Sequence, residues 1–229
     1  MPALRCALFC VALLHGTAAF ASDWKIAVGA TMISTPETPG AADRRILAVP
    51  SWDVEYRERF FSKGLDFAGV YLANTSRFRS GAALAWDFDR NETTGVDGTM
   101  NAKVFGEWKP SLASLKAEAT HDVLGRGHGL QATLDASVAV PFFSPWFFAA
   151  GPGVSWIDEE NARSFFGSEA GAGVRDVHLN VVVRRRLPGE WSATAVTVFS
   201  RLQGDAARSA FTERDDELSL IVTLSRRIR

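Results

Sequence analysis

The amino-acid sequence predicts an all-β protein, an antiparallel up-and-down transmembrane β-barrel of ten to twelve strands. Apolar and polar residues alternate with a period of two along segments about ten residues long, the length that a tilted barrel strand needs to cross a bilayer. Turn-forming residues separate these segments, and no stretch shows the helical period of about 3.6 residues. With 229 residues, 47% hydrophobic and 22% charged, the chain is too apolar to be disordered and too polar for a bundle of transmembrane helices.

The N-terminal segment has the three regions of a secretory signal peptide. Arg5 supplies the positive charge, Cys6–Leu14 is apolar, and Ala19-Phe20-Ala21 is a small-residue cleavage pattern. A retained membrane anchor is the weaker alternative, because the apolar stretch is shorter than the roughly 20 residues of a spanning helix. We predict that residues 1–21 are removed and that residues 22–229 form one barrel domain.

Both cysteines of the chain, Cys6 and Cys10, lie within the predicted leader. The mature chain therefore has no thiol for a disulfide or a thiolate-bound metal. Lys and Arg total 25 against 26 Asp and Glu, so the chain has no basic excess to neutralise a phosphate backbone. We expect no nucleic-acid partner.

Eleven segments of the mature chain are predicted strands. On the segment that ends at Val140, for example, Leu134 and Val138 alternate with Asp135 and Ser137. Clusters of Gly, Pro, Asn and Asp make short connections, which predicts a meander, and one missed or wrong segment would make ten or twelve strands. The eleven segments are Trp24–Ile33, Ile46–Tyr56, Leu65–Ala73, Phe78–Phe88, Met100–Trp108, Leu112–His121, Leu130–Val140, Trp146–Ile157, Val174–Leu187, Trp191–Leu202 and Leu218–Leu224.

The uncharged segment Ala136–Ile157 could be mistaken for a transmembrane helix. Pro141, Pro145 and Pro152 would break a helix repeatedly, so two apolar strands joined by a tight turn are the better interpretation. Aromatic residues gather near this turn, as they do at the bilayer interface of a membrane barrel or at the mouth of a soluble core. They are Phe142, Phe143, Trp146, Phe147 and Phe148.

Charges keep to one face of the predicted strands, which favours a membrane barrel with an apolar outer face and a polar interior. We expect the interior charges to pair with one another. They include Arg77, Arg79, Asp87, Lys103 and Glu107.

Two other classes of protein remain open from the alternation alone. A soluble periplasmic β-barrel that binds a small apolar ligand would have the reverse polarity, apolar inside and polar outside. A lipid-modifying enzyme in the barrel wall is the less favoured alternative, with His121-Asp122 orienting an imidazole beside a serine. No G-x-S-x-G elbow supports this alternative.

The remaining motifs favour structural roles. The mature histidines His121, His128 and His178 lack the short spacings of a metal site. Gly127–Ala132 fits the dinucleotide pattern G-x-G-x-x-A formally, but a strand follows it rather than a helix, so a glycine turn is favoured. We assign no catalytic, cofactor-binding or metal-binding residue.

Charged clusters lie at the ends of several strands. Arg184–Arg186 and Arg226–Arg229 could meet lipid head groups, although solvated strand ends explain them equally well. Asp158–Glu160 and Asp215–Glu217 are acidic turns, which we interpret as solvated loops.

Three stretches carry a further signal. They are Ala48-Val49-Pro50 leading to Tyr56 and Phe60-Phe61, then Ser164-Phe165-Phe166-Gly167, and Phe199–Ser209 with the sequence FSRLQGDAARS. Through them nearly the whole mature chain resembles the MipA/OmpV family of Gram-negative outer-membrane proteins, most specifically in the last stretch.

This resemblance implies an outer-membrane β-barrel without known catalysis. The best-known member is a scaffold between a lytic transglycosylase and a peptidoglycan synthase, and other members are linked to adhesion or osmotic response. The implied partners are the lipid bilayer, lipopolysaccharide and peptidoglycan-synthesising or -degrading enzymes. The expected role is that of a scaffold or interaction protein in envelope maintenance.

Overall fold

The computed structural model describes residues 23–87, 97–140 and 144–229. In this part of the chain, twelve antiparallel strands form one closed barrel in which each strand pairs with its sequence neighbours and the last strand pairs with the first. The prediction of an up-and-down barrel of ten to twelve strands is confirmed. Strands β1 to β12 are Trp24–Pro36, Arg44–Tyr56, Phe60–Lys63, Asp66–Asn74, Phe78–Asp87, Thr99–Trp108, Ala113–Asp122, Leu130–Val140, Trp146–Ile157, Gly173–Arg186, Trp191–Leu202 and Asp216–Arg227.

Strand β3 is the strand that the sequence did not predict. It has four residues, too few to show an alternation, and it begins after a turn in which Arg57 and Glu58 adopt positive φ angles. The other eleven strands coincide with the eleven predicted segments. Of these segments, the one predicted to end at Phe88 reaches outside the described residues.

Two short helices within the described residues also went unpredicted. Helix α1 is Glu159–Phe166 and helix α2 is Gly204–Arg208. The Asp158 side chain caps α1 by accepting the Asn161 N–H at 2.9 Å. Two turns of helix are too short to show a clear 3.6-residue period, and the region after Asn161 was predicted to be a loop. Neither helix is long and apolar enough to cross a membrane, among the residues described.

The two ends of the barrel differ in the length of their connections. The short-turn end has the connections 57–59, 75–77, 109–112 and 187–190, together with the start of β1, the end of β8, the start of β9 and the end of β12. The long-loop end has the connections 37–43, 123–129, 158–172 and 203–215, together with the end of β5 and the start of β6. The β3–β4 turn at residues 64–65 lies between the two ends, within the wall.

Large apolar side chains cover the outer face, and exposed aromatic residues mark both of its borders. Trp24, Phe78, Trp108, Trp146 and Trp191 lie at the short-turn end, whereas Trp86, Trp156 and Phe199 lie toward the long-loop end.

This outer face has the apolar band and the two aromatic girdles of a transmembrane barrel. Its polarity overturns the alternative of a soluble barrel with an apolar interior. The hairpin predicted over Ala136–Ile157 is confirmed by the β8–β9 pairing. Trp146 and Phe147 are exposed at its end, whereas Phe142 and Phe143 lie outside the described residues.

Buried apolar clusters are small, as expected for a barrel whose apolar surface faces lipid. One cluster joins both helices to strand ends at the long-loop end, and it contains Ile157, Ala162, Phe165, Phe166, Ala170, Leu202 and Ala206. The other lies inside the barrel and contains Phe61, Tyr71 and Ala83, with Phe105 packed against it. The first cluster anchors the helices to the long-loop end.

Candidate functional site in the barrel lumen

The lumen is the candidate site, because charged side chains converge there from several strands. The Lys103 ammonium contacts the Asp66 carboxylate and lies 3.9 Å from Glu118, which in turn pairs with Lys116 at 2.9 Å. These ion pairs tie β4, β6 and β7 together across the lumen. A low-dielectric surrounding strengthens such a network when all its members have partners.

The predicted interior charges pair, but with residues other than one another. Glu107 pairs with Lys109 at 2.8 Å, Asp87 contacts the His128 ring at 3.1 Å, and Arg79 donates to the Asn74 side chain at 3.2 Å. For Arg77 the prediction is wrong. It is exposed in the 75–77 turn, because β5 begins one residue later.

A second network surrounds His178 on β10. The ring nitrogens lie 2.9 Å from Asp135 and 2.7 Å from Asp176, and Asn180 also donates to Asp135 at 2.7 Å. The ring crosses over Gly153 of β9, where a Cβ atom would overlap it. Glycine at position 153 is therefore required for the contact between His178 of β10 and Asp135 of β8. The amino-acid sequence alone does not indicate this requirement.

His121 and Asp122 do not form the dyad of the enzyme alternative. Neighbouring strand residues point to opposite faces. His121 is exposed on the outer side, whereas Asp122 is buried and accepts the Thr99 hydroxyl and the Leu124 N–H. The side chain of Asp122 is thus occupied in organising the 123–129 loop.

His128 lies in the glycine turn that the sequence predicted between β7 and β8. Gly127 and Gly129 on either side have positive φ angles, which confirms the turn. The His128 ring is buried and meets the Phe165 ring edge-on, with 5.5 Å between the ring centroids. The backbone carbonyl of His128 accepts a hydrogen bond from the side-chain amide of Asn161 on α1. His128 therefore connects the 123–129 loop to helix α1 at the long-loop end.

A cavity of about 810 Å³ occupies the lumen toward the short-turn end. Hydroxyl groups line much of it, including Thr31, Thr194 and Thr223, and the Thr31 and Thr223 hydroxyls are 2.8 Å apart. Cations outnumber carboxylates among its charged lining residues, which are Lys63, Arg184, Arg186, Arg227, Asp53 and Glu190. The cavity is therefore polar and suited to an anionic group.

The sequence identified the arginine cluster 184–186 but not this cavity. Alternation along β10 divides the cluster, because Arg184 and Arg186 line the cavity whereas Arg185 lies over the outer Trp146 ring at 5.0 Å. The alternation of β10 could have predicted this division. Among the described residues, no group of three or more His, Cys, Asp or Glu side chains is arranged to hold a metal ion.

The acidic turns also have more specific roles than solvated loops. Asp158 caps helix α1, and Glu217 accepts from the Gly40 N–H and from Ser200 at 3.3 Å. Both carboxylates thereby fasten segments of the long-loop end to the barrel.

A protein-family model described as "MltA-interacting protein MipA" matches residues 28–228. The chain belongs to the MipA family. The match covers nearly all of the twelve strands, so the whole barrel is the family's domain. No curated protein shows significant sequence similarity to the chain.

Solved outer-membrane barrels resemble the MipA-family barrel only remotely. The NanC porin is 8% identical with a TM-score of 0.47, over 88% of this chain and 98% of the porin. A bacterial polysaccharide outer membrane secretin is 9% identical with a TM-score of 0.48, over 90% of this chain and 98% of the secretin. OmpF of Salmonella typhi is 10% identical with a TM-score of 0.43, over 88% of this chain and 97% of OmpF.

The surface charge of the MipA-family barrel differs between its two ends. Exposed cations crowd the short-turn end and form a basic rim, which consists of Arg57, Arg59, Arg77, Arg184–Arg186, Arg226, Arg227 and Arg229. Some are neutralised locally, as where Arg57 pairs with Asp23 at 2.9 Å. The long-loop end is richer in carboxylates, among them Glu37, Asp43, Glu159, Glu160, Glu169, Asp205, Glu213, Asp215 and Asp216.

Proposed function

We propose that this protein is a non-enzymatic scaffold of the outer membrane that binds a peptidoglycan-degrading or -synthesising enzyme at its short-turn end. The observation that carries the proposal is the match to a family described as MltA-interacting protein over residues 28–228. A barrel in the outer membrane meets such enzymes at its periplasmic surface. The basic rim provides a surface there for an acidic patch on the partner, since complementary charge increases the rate of association.

The orientation follows from the connections. Outer-membrane barrels have short periplasmic turns and longer extracellular loops, so the short-turn end faces the periplasm in our proposal. The girdle formed by Trp86, Trp156 and Phe199 then lies in the lipopolysaccharide leaflet. Export through a signal peptide cleaved after Ala21 belongs to the same proposal.

A binding measurement tests the scaffold role. The mature chain in phospholipid nanodiscs is titrated with the lytic transglycosylase of the same bacterium. We expect the double variant Arg59→Glu/Arg77→Glu to bind roughly tenfold more weakly, with the loss mainly in the association rate and smaller at high salt. Both residues are exposed in short turns, so the substitutions leave the barrel interior intact.

The matched control reverses two charges at the other end. Arg201→Glu/Arg214→Glu makes the same change in net charge at exposed residues near the long-loop end, and it should bind like the unaltered protein. Equal loss in both variants would indicate a nonspecific charge effect, and absence of binding by the unaltered protein would contradict the scaffold proposal.

A further inference from the structure

Two arginines of the basic rim face outward rather than into the lumen. Neighbouring strand residues point to opposite faces, so Arg184 of β10 lines the cavity whereas Arg185 lies on the outer wall. On β12, Arg227 lines the cavity and Arg226 lies on the outer wall in the same way. Both outward side chains are exposed. Each arginine cluster is thereby divided between the lumen and the outer wall.

The two outward arginines lie level with the aromatic girdle of the short-turn end. Arg185 is the cross-strand partner of Trp146, and its guanidinium lies 5.0 Å from the centroid of that ring. Arg226 is the cross-strand partner of Trp191 on β11. Girdle tryptophans lie at the head-group level of a bilayer. Both guanidinium groups are therefore at the height of the lipid phosphates.

A single strand, β11, separates the two arginines. Arg185 lies opposite Ala193 on one side of β11, and Arg226 lies opposite Trp191 on the other side. From the spacing of strands and of residues along a strand, their backbone positions are roughly 12 Å apart. Two arginine side chains are long enough to converge on one phosphate above Trp191.

The two outward arginines have no carboxylate partner among the described residues. At the opposite border of the same strands, the outward-facing Arg201 of β11 does have one, since it lies 3.8 Å from Asp216 of β12. In the lumen, the Lys103 ammonium is likewise paired. Guanidinium groups form strong hydrogen bonds with phosphate, so Arg185 and Arg226 are suited to an anion from the surrounding lipid.

The outer face of β11 is lower than the faces of its neighbours, because its side chains are small. This surface is the β11 groove. Its floor consists of Ala193, Ala195 and Thr197, and its walls are the larger apolar side chains of the cross-strand partners, which are Val181 and Val183 on β10 and Leu220, Val222 and Leu224 on β12. The groove leads from the two arginines toward the middle of the apolar band. Its shape and polarity match an acyl chain.

We propose that this part of the outer wall binds one anionic phospholipid of the phosphatidylglycerol class. The phosphate lies above Trp191 and accepts hydrogen bonds from Arg185 and Arg226, while one acyl chain lies along the β11 groove. Phosphatidylethanolamine binds less well, because its ammonium group is repelled by the second cation. The choice of a phospholipid over lipopolysaccharide rests on the orientation proposed above, in which the short-turn end lies in the periplasmic leaflet.

Lipid retention in native mass spectrometry tests the site. The mature chain is moved from nanodiscs of equal phosphatidylglycerol and phosphatidylethanolamine into detergent, and the retained lipids are counted. We expect one retained phosphatidylglycerol, and roughly tenfold less retention in Arg185→Gln/Arg226→Gln, which loses both phosphate contacts. Equal retention of the two lipids by the unaltered protein would overturn the proposal. Both nanodisc leaflets have the same composition, so the result is independent of the orientation and of the scaffold role.

The matched control removes two charges one residue away on the same strands. Arg184→Gln/Arg227→Gln alters side chains of the cavity, and it should retain phosphatidylglycerol like the unaltered protein. Equal loss in the two double variants would indicate a general effect of net charge and would also overturn the proposal. The heat-dependent gel mobility of each variant confirms a folded barrel.

Filling the β11 groove tests the position of the acyl chain. Ala195→Trp keeps both arginines but places a large ring on the floor of the groove, so it should lower the retention of phosphatidylglycerol. Ala117→Trp makes the same change at an exposed residue on the outer face of β7, and it should leave retention unchanged. Equal retention by these two variants would contradict the groove as the site of the chain.

Discussion

One carboxylate, that of Asp122, holds the loop between β7 and β8 in place. It accepts the Thr99 hydroxyl, the Leu124 N–H at 2.9 Å and the His128 N–H at 3.2 Å. A carboxylate has enough lone pairs for several donors at once. Because Thr99 is fully buried, water cannot easily take the place of Asp122 as the acceptor of the Thr99 hydroxyl.

Replacing Asp122 with Asn should destabilise the protein by about 1–3 kcal/mol. The amide nitrogen cannot accept a hydrogen bond, so donors of the loop lose their partner. Urea unfolding in lipid vesicles measures the free energy, with Glu213→Gln, an exposed carboxylate, as the control. Equal stability of Asp122→Asn and the unaltered protein would contradict the role given to Asp122.

Asp205 should make part of the stability of the long-loop end sensitive to acid. The Gly171 N–H, at 3.0 Å, and then Arg208 lower the pKa of this exposed carboxyl below its ordinary value. The stabilisation that the ionised carboxyl contributes is therefore fully present above the unfolded-state pKa, near 3.9, and is lost as pH falls through the lower folded-state value.

Carbon-13 NMR of the Asp205 carboxyl measures this shift. We expect its midpoint below that of an unfolded peptide. The Asp205→Asn protein should lack this acid-dependent contribution to stability, since an amide does not titrate in this range. A midpoint at the ordinary value would remove the basis of the prediction.

The same residues show what alternation can and cannot predict. The period of two places His121 and Asp122 on opposite faces, so the sequence alone could have rejected that dyad. The partners of Asp122 are another matter, because Thr99 is 23 positions away and the contact depends on the register of β6 against β7. The same holds for His178 and Asp135.

The β3–β4 hairpin is the element that departs most from a regular barrel. Its four-residue first strand is too short to show an alternation in the sequence, and the β3–β4 and β4–β5 pairings both contain irregular register. Bulges of this kind are common where a strand must bend. Because it is so short, β3 was beyond prediction from the sequence, whereas the eleven longer strands were predicted.

Packing inside this hairpin should be intolerant of one added methyl group. The Phe61 ring covers Gly69 of β4, where a Cβ atom would overlap it. We expect Gly69→Ala to cost about 1–3 kcal/mol through displacement of the ring. Gly106→Ala is the control, since its Cβ would meet no atom within 4 Å, and equal stability of the two variants would contradict this packing.

The ion pairs between β4, β6 and β7 should show measurable coupling. Lys103→Met leaves Asp66 and Glu118 without their shared cation, and Asp66→Asn leaves Lys103 with only its weaker partner. In a double-mutant cycle we expect a coupling free energy of about 1–2 kcal/mol between Lys103 and Asp66. A coupling near zero would mean that water in the lumen screens the pair.

At the scale of the molecule, the charge difference between the two ends was present in the sequence but could not be recognised there. The arginines of the basic rim come from turns and strand ends throughout the chain. Only the meander brings them to one side, while the same topology collects acidic loops on the other. The polarity of inside and outside, in contrast, was predictable, because it depends on the period of a single strand.

Labelling of single cysteines should establish the orientation. The cysteines of the sequence are confined to the predicted leader. A single cysteine introduced into the mature chain is therefore its only thiol, and any maleimide label marks that position. In intact cells, a membrane-impermeant maleimide should label Glu213→Cys and leave Arg77→Cys unlabelled until the outer membrane is disrupted. The reverse pattern would place the basic rim outside the cell and exclude it as a periplasmic binding surface.

The closing pair of strands joins the first and last strands of the barrel, since Ile26 donates to the Arg229 carbonyl at 2.9 Å and β1 pairs with β12. A polypeptide lacking β12 consequently has two open sheet edges, and open edges invite aggregation. Closure of the barrel is thus tied to β12, and the adjacent ends of β1 and β12 make circular permutation of the barrel feasible. A gene whose start is moved into the segment for residues 203–215 would encode the same ring of strands with a different last hairpin to close.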